Sequence, residues 1–259
     1  MKNINNITGK IGRKFLNYLD YILSLFAFLY LILKIFVTKN YSGKKLVTIG
    51  IVEQIYFTAV QALWIIIPIA LIIGTAFFLQ FVKLSGQYDF GKIAVMVLIR
   101  ETAPMVTAIV VILRSATAVT IELGYMNVER EIDAIQMAGV DPLALICIPR
   151  FIGITSAILC LFIIFDLVAI FGGYIGAWIL SDISLYSFLG KIGKAITFMD
   201  VLASFIKGIV FGWVISIICM YKGFEAKKSL TEVPVKASQA AVECFFYCLI
   251  LNPLISLIT

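Results

Sequence analysis

The sequence predicts an all-α integral membrane protein. It has an N-terminal interfacial amphipathic helix, five transmembrane helices, and a short cytoplasmic helix between the second and third spans. Three observations carry this reading. Of 259 residues, 62% are hydrophobic, against about 45–50% in a soluble domain, and the mean hydropathy is +1.05. Five apolar runs reach the roughly 20 residues that a span requires. Between the second and third of them, residues 122–142 turn charged and amphipathic.

The start of the chain imitates a signal peptide, with basic residues before an apolar run. The run from Phe15 to Leu33 is too long for a signal core, and no small-residue cleavage site follows, so it is expected to be retained. Within 15–36, Asn17, Asp20, Ser24, Ala27 and Lys34 recur at three or four residues on a narrow stripe, and Thr38 extends it. A helix lying along the membrane surface explains that stripe; a sixth span is the alternative. The five spans fall at about 52–82, 92–121, 147–180, 199–221 and 237–258. The third is long enough to require tilt, a kink or an extension beyond the lipid.

Charge sets the orientation. With five spans, one side receives Lys39, Lys44, Lys45, Arg130, Arg150, Lys222, Lys227, Lys228 and Lys236, with Lys2, Lys10, Arg13 and Lys14 from the N-terminal arm. The other receives Lys83, Lys92, Lys191 and Lys194. The positive-inside rule puts the N-terminus and residues 123–146 in the cytoplasm and the C-terminus outside. The net charge of +6 is explained by these loops, not by a nucleic-acid partner. The chain is expected to form one domain, residues 1–259, with an arm and interfacial helix over 1–50 and a bundle over 51–259. It shows no internal repeat.

Ionisable residues at membrane depth are costly and face a cavity or a partner. Arg100 and Glu101 lie in the second span, and as helix neighbours they need not pair with each other; Pro104 then loosens the helix. A polar wall of a substrate path and a structural contact between helices both fit. Arg114 and Glu122, about two turns apart near the cytoplasmic end of that span, fit a clamp of helix ends by partly buried pairing, with substrate contact as the alternative. Asp166 and Lys207 fit interior polar contacts. Past Glu122 the residues Glu129, Arg130, Glu131 and Asp133 alternate with Val128, Ile132, Ile135 and Met137, and Gly139-x-Asp141-Pro142 stops and turns the segment. Gly172-x-x-x-Gly176 and Gly208-x-x-x-Gly212 permit close helix contact.

Several chemistries are disfavoured. His is absent, removing the commonest general base and metal ligand. The five cysteines lie in or beside apolar runs, which reads as packing rather than metal or redox chemistry. No metal site or catalytic residue is expected. Gly86–Lys92 has the outline of a phosphate-binding loop, but Ile93 stands where Ser or Thr would hold magnesium and no strand precedes it. No cofactor is expected to bind this chain directly.

The chain resembles the MlaE (YrbE) permeases, membrane subunits of ABC transporters for phospholipid or other hydrophobic substrates, over roughly residues 10–258. Arg100-Glu101-x-x-Pro104 is similar to the family's R-E-x-x-P, and Glu122-Leu123-Gly124-x-Met126 to its E-L-G-x-M. Glu129-x-x-Ile132-Asp133-Ala134, Gly139-x-Asp141-Pro142 and Pro149-Arg150 continue in register. Gly172-Gly173, Lys207, Phe211-Gly212 and Tyr221-x-Gly223 agree further on. Leu113 and Ala116 stand where relatives usually carry Gly, and Glu232-Val233-Pro234 replaces a usually glycine-containing segment.

The resemblance implies a homodimer in a bacterial inner membrane, with a lipid-sized cavity between protomers. It implies a coupling helix, by position about 125–141, that docks on an ABC ATPase subunit; that subunit uses ATP and magnesium. Coupling would involve Glu122, Gly124, Met126, Glu129, Ile132, Asp133, Gly139 and Asp141. It implies an MCE-domain partner on the outer side and, in some systems, a STAS-domain subunit. Arg100, Glu101 and Pro104 are the candidates for the substrate path. The competing reading of the residues is an ion-coupled secondary transporter running through Arg100, Glu101, Asp166 and Lys207. An intramembrane enzyme is a third, poorly supported class.

Overall fold

Long apolar runs can satisfy their backbone groups in lipid only by closing hydrogen bonds within the segment, which makes them helices. The computed structural model describes residues 2–38, 44–84, 96–181, 185–226 and 229–258, and among these there is no strand. We number the helices α1 (Lys2–Thr38), α2 (Lys44–Thr58), α3 (Leu63–Leu84), α4 (Leu98–Val128), α5 (Glu131–Met137), α6 (Ile148–Ser181), α7 (Leu185–Ala195), α8 (Phe198–Glu225) and α9 (Glu232–Ile258). A single 3-10 turn, Val60–Ala62, joins α2 to α3.

Six of the described segments are long and apolar enough to cross a membrane. Five match the expected spans to within seven residues at each end, the first beginning at Lys45, the second running on to Val128 and the third beginning at Leu143. The sixth lies within α1, the segment expected on the membrane surface. Along α1, Asn17, Asp20, Ser24, Ala27 and Lys34 are exposed while Ile32 is buried. Its contacts visit three helices in turn. Tyr18 shares a hydrogen bond with Tyr247 of α9. Phe28 packs edge-on against Tyr221 and Phe224 of α8. Ile35 packs with Ala144 and Ile148 at the start of α6.

α6 is the centre of the bundle, packed on α2, α3 and α8, with Ile154, Ile158, Leu161 and Phe165 fully buried. Glycines let these backbones meet. A Cβ on Gly172 would fall 2.7 Å from the Leu71 carbonyl oxygen, and one on Gly212 would fall 2.8 Å from Thr155 Cα. Both Gly-x-x-x-Gly pairs are therefore spent inside the protomer, on α6–α3 and α8–α6. Gly74 makes the tightest of the backbone approaches, its missing Cβ directed at the Ala169 carbonyl. Gly74→Val is expected to lower the unfolding free energy by about 3 kcal/mol, the upper end of ordinary overpacking. Gly190→Ala, at a helical position where a Cβ meets nothing within 4 Å, should not destabilise and is expected to add up to about 1 kcal/mol through helix propensity. Thermal unfolding in detergent checks both.

α7 was not expected. It is a short helix between the third and fourth spans, held by Phe188, whose ring lies 5.2 Å from Phe78 and 5.5 Å from Tyr174. The glycine loop 86–92 lies outside the described residues.

Candidate functional site

Two turns of α4 depart from α-helical geometry, and both carry an arginine. Leu98–Thr102 is a π-turn in which the Ala103 N–H bonds five residues back to the Leu98 carbonyl. The Ile99 carbonyl thereby loses its usual donor, and Ser204 Oγ of α8 donates to it at 3.0 Å. Pro104 has no N–H, so the carbonyl four residues earlier, that of Arg100, also lacks its α-helical donor. Lys207 Nζ of α8 takes that place at 3.0 Å. Pro104 thus does more than loosen the helix: it opens a backbone acceptor for a buried cation.

Lys207 is fully buried along its side chain and also donates to Glu101 Oε2 at 2.7 Å. Asn252 Nδ2 of α9 donates to the same oxygen at 3.0 Å, and Ser256 Oγ donates to Glu101 Oε1. Arg100 donates to the Ser256 carbonyl at 2.8 Å. That carbonyl sits in the last turn of α9, where acceptors lack intrahelical donors and the helix dipole favours a cation. Arg100 also approaches Glu101 Oε1 and Asp200 Oδ1, each at 3.8 Å. The neighbours Arg100 and Glu101, expected to diverge, therefore come within ion-pair distance on the π-turn. Asp200 closes the frame: its Oδ2 accepts from the Thr197 N–H at 3.0 Å in a capping box that starts α8.

The result is a knot of two cations and two carboxylates tying α4, α8 and α9 together. Each charge has an opposite partner, which is what makes burial at membrane depth tolerable. The open member is Glu101, whose side chain keeps 30% of its surface, against 13% for Arg100 and 9% for Asp200. Asp166 stands apart: its Oδ1 is buried without a hydrogen bond.

The second π-turn, Ile112–Ala116, presents Arg114. It donates to the Phe57 carbonyl at 2.6 Å, where α2 breaks, and to Gln61 Oε1, and it lies 4.9 Å over the Phe57 ring. Glu122 pairs instead with Arg150 of α6, at 2.8 Å. The two residues act as separate clamps.

The far end of α4 is wedged between α8 and α9. A Cβ on Gly124 would lie 2.8 Å from Val233, and one on Gly223 would lie 2.6 Å from Leu123. Asn127 Nδ2 donates to the Phe224 and Ala226 carbonyls, both at 2.8 Å, and so caps α8. Met126 is half-buried against the core. The helix expected over about 125–141 is divided. Arg130 takes the left-handed conformation at φ 61°, and only Glu131–Met137 forms α5. α5 ends in a Schellman motif, with Gly139 at φ 79°, its N–H on the Gln136 carbonyl and the Val140 N–H on the Ile135 carbonyl. Asp141 Oδ1 then accepts from the Leu143 N–H at 3.1 Å, starting the next helix. Ile132 and Ile135 pack on the bundle. Glu129, Arg130, Glu131, Asp133 and Met137 are exposed, the last at 84%.

Sequence reasoning named Arg100, Glu101 and Lys207 but missed Asp200, Ser204, Asn252, Ser256 and Asn127. Two signals were available: Thr197-x-x-Asp200 is a capping pattern, and Asn252 and Ser256 lie four residues apart on one helix face.

The family model described as Permease MlaE matches residues 51–258. A probable ABC transporter permease protein of Rickettsia typhi is 27% identical over 258 residues, 98% of this chain and 96% of that protein. The intermembrane phospholipid transport system permease protein MlaE of Haemophilus influenzae is 28% identical over 180 residues, 68% of this chain and 69% of that protein. The chloroplastic protein TRIGALACTOSYLDIACYLGLYCEROL 1 of Arabidopsis thaliana is 30% identical over 174 residues, 64% of this chain and 49% of that protein.

Proposed function

Because this chain belongs to the MlaE permease family, we propose that it is the membrane permease subunit of an ATP-driven ABC transporter. The transporter moves phospholipid or a similar hydrophobic lipid between the inner membrane and an MCE-domain partner. Two copies form the pore, an ABC ATPase subunit binds ATP and magnesium, and a STAS-domain subunit joins in some assemblies. The N-terminus is cytoplasmic, and α1 lies at the membrane surface. Its successive contacts with α9, α8 and α6 support that placement over a sixth crossing.

The observation that carries this reading is the continuity of α4. One end holds Arg100 and Glu101 in the charged knot; the other leads through Arg130 into the exposed α5. The coupling helix of the proposal is α5 with its flanking turns. A push on α5 reaches Gly124 and Leu123, which are too tightly wedged against Val233 and Gly223 to yield locally. The displacement then passes along α4 to the knot. There Glu101, the least covered of its charges, adjoins the lipid path. Acyl chains meet the apolar faces of the spans, and the headgroup meets the polar edge at Glu101.

Gentle solubilisation of the native complex tests this. An ATPase subunit is expected to co-purify in stoichiometric amount, together with phospholipid. Recovery of this chain alone, with no ATPase under several mild detergents, would overturn the assignment.

A further inference from the structure

At the α5 end of the bundle, α1, α8 and α9 line an open pocket of about 610 Å³ that the transport reading does not use. Its Lys222 lies 15 residues along α8 from Lys207, about 22 Å at 1.5 Å per residue, while its apolar end at Ile250 reaches to two residues from Asn252 on α9. Its floor is Lys222, Glu243 and Tyr21. Lys222 Nζ pairs with Glu243 Oε1 at 2.9 Å and with Glu225 at 3.5 Å, and it sits 4.6 Å over the Tyr21 ring. Its side chain is only 9% exposed. Tyr21 Oη donates to Glu243 Oε2 at 2.6 Å. Tyr18 and Tyr247 share a hydroxyl–hydroxyl bond at 3.0 Å along one wall, and Phe246 lines another.

The charge an incoming molecule can reach is therefore negative. The Lys222 cation is buried and already held by two carboxylates and a ring. The Glu243 side chain keeps 31% of its surface, and each carboxylate oxygen, one held by Lys222 and one by Tyr21, can accept further hydrogen bonds. An ammonium gains from the carboxylate and from the ring faces together, whereas an anion meets the carboxylate first. Beyond the aromatic rim, Phe246 and Ile250 expose apolar surface at 57% and 54% along α9, where acyl chains can lie. Asn17 at the mouth offers amide donors to a phosphate. The volume is that of an ordinary ligand pocket.

The geometry points to a binding site for a phospholipid with an amine headgroup, its ammonium on Glu243 between Tyr18, Tyr21 and Phe246. The site is separate from the Arg100–Lys207 knot and does not depend on transport.

Native mass spectrometry of the purified complex, offered equal dioleoyl phosphatidylethanolamine and dioleoyl phosphatidylglycerol, tests this directly. Retention of the ethanolamine lipid is expected at a concentration at least about fivefold lower. Glu243→Gln and Phe246→Ala should each remove most of that preference. Glu243 anchors Lys222 and its loss can disturb folding; Phe246 is exposed, so its variant keeps the test decisive. Equal retention of the two lipids, or an unchanged preference in Phe246→Ala, would overturn the site. Free phosphoethanolamine should displace the lipid only at far higher concentration. Displacement at equal concentration would instead assign the cavity to a soluble amine and overturn the lipid as occupant.

Discussion

Lys207→Met is expected to abolish lipid transport and to destabilise the bundle by about 3 kcal/mol, the low end of the range for breaking a buried ion pair. Methionine keeps the length of the side chain but cannot donate. It leaves the Arg100 carbonyl without the donor that Pro104 already denies it, and leaves Glu101 facing Arg100 only at 3.8 Å. The partial exposure of Glu101 is why the low end applies: water relieves part of the uncompensated charge. Glu101→Gln should cost less, because the single amide oxygen of glutamine can still accept from Lys207 and Asn252 while its NH2 donates to Ser256 Oγ. The double variant should be less damaged than the two single losses added together, since each removes the same interaction, and a coupling of about 0.5–3 kcal/mol is expected for residues in contact. Thermal unfolding in detergent and lipid transfer by reconstituted complexes measure the two effects separately. Wild-type stability and transport in Lys207→Met would remove the knot from the mechanism.

The sequence made the spans legible because lipid demands long apolar runs and the loops between them are short. It made Arg100, Glu101 and Lys207 legible for the opposite reason: a charge inside such a run is conspicuous. The partnership between them was not legible. It depends on which backbone carbonyls the π-turn and Pro104 release, and on α8 and α9 being alongside to answer them with Ser204, Lys207 and Ser256. Those polar residues look unremarkable one at a time. The Arg114 and Glu122 clamps were foreseen as clamps, but their partners, Phe57, Gln61 and Arg150, are between about 30 and 60 positions away in sequence and no periodicity links them. α7 escaped notice because eleven residues with two lysines read as a loop. Its helical form becomes worthwhile only when Phe188 finds Phe78 and Tyr174. The glycine pairs were visible, but their destination inside the protomer was not, since close packing against α3 and α6 and packing against a second copy need the same small residues.

Charge reversal on the water-side segment, Glu129→Lys or Asp133→Lys, is expected to stop transport while leaving the permease folded. Both side chains are exposed, and among the described residues neither carboxylate is tied to the bundle, so each change should alter stability by no more than about 0.5 kcal/mol. The apolar half of the segment, Ile132 and Ile135, is what seats α5, and neither substitution touches it. The Schellman turn at Gly139 and the Asp141 cap remain intact as well. What changes is the surface offered to the proposed ATPase: Glu129, Arg130, Glu131 and Asp133 carry a net negative charge that either reversal cancels, twice over in the proposed dimer. Association should weaken by tenfold or more and recover at least partly when the complementary basic residue on the ATPase is reversed. Co-purification and lipid transfer are the measurements, with unfolding temperature as the control. Transport and association at wild-type level in both variants would show that force enters elsewhere. Met137, 84% open on the seven-residue α5, would then be the next residue to test by substitution.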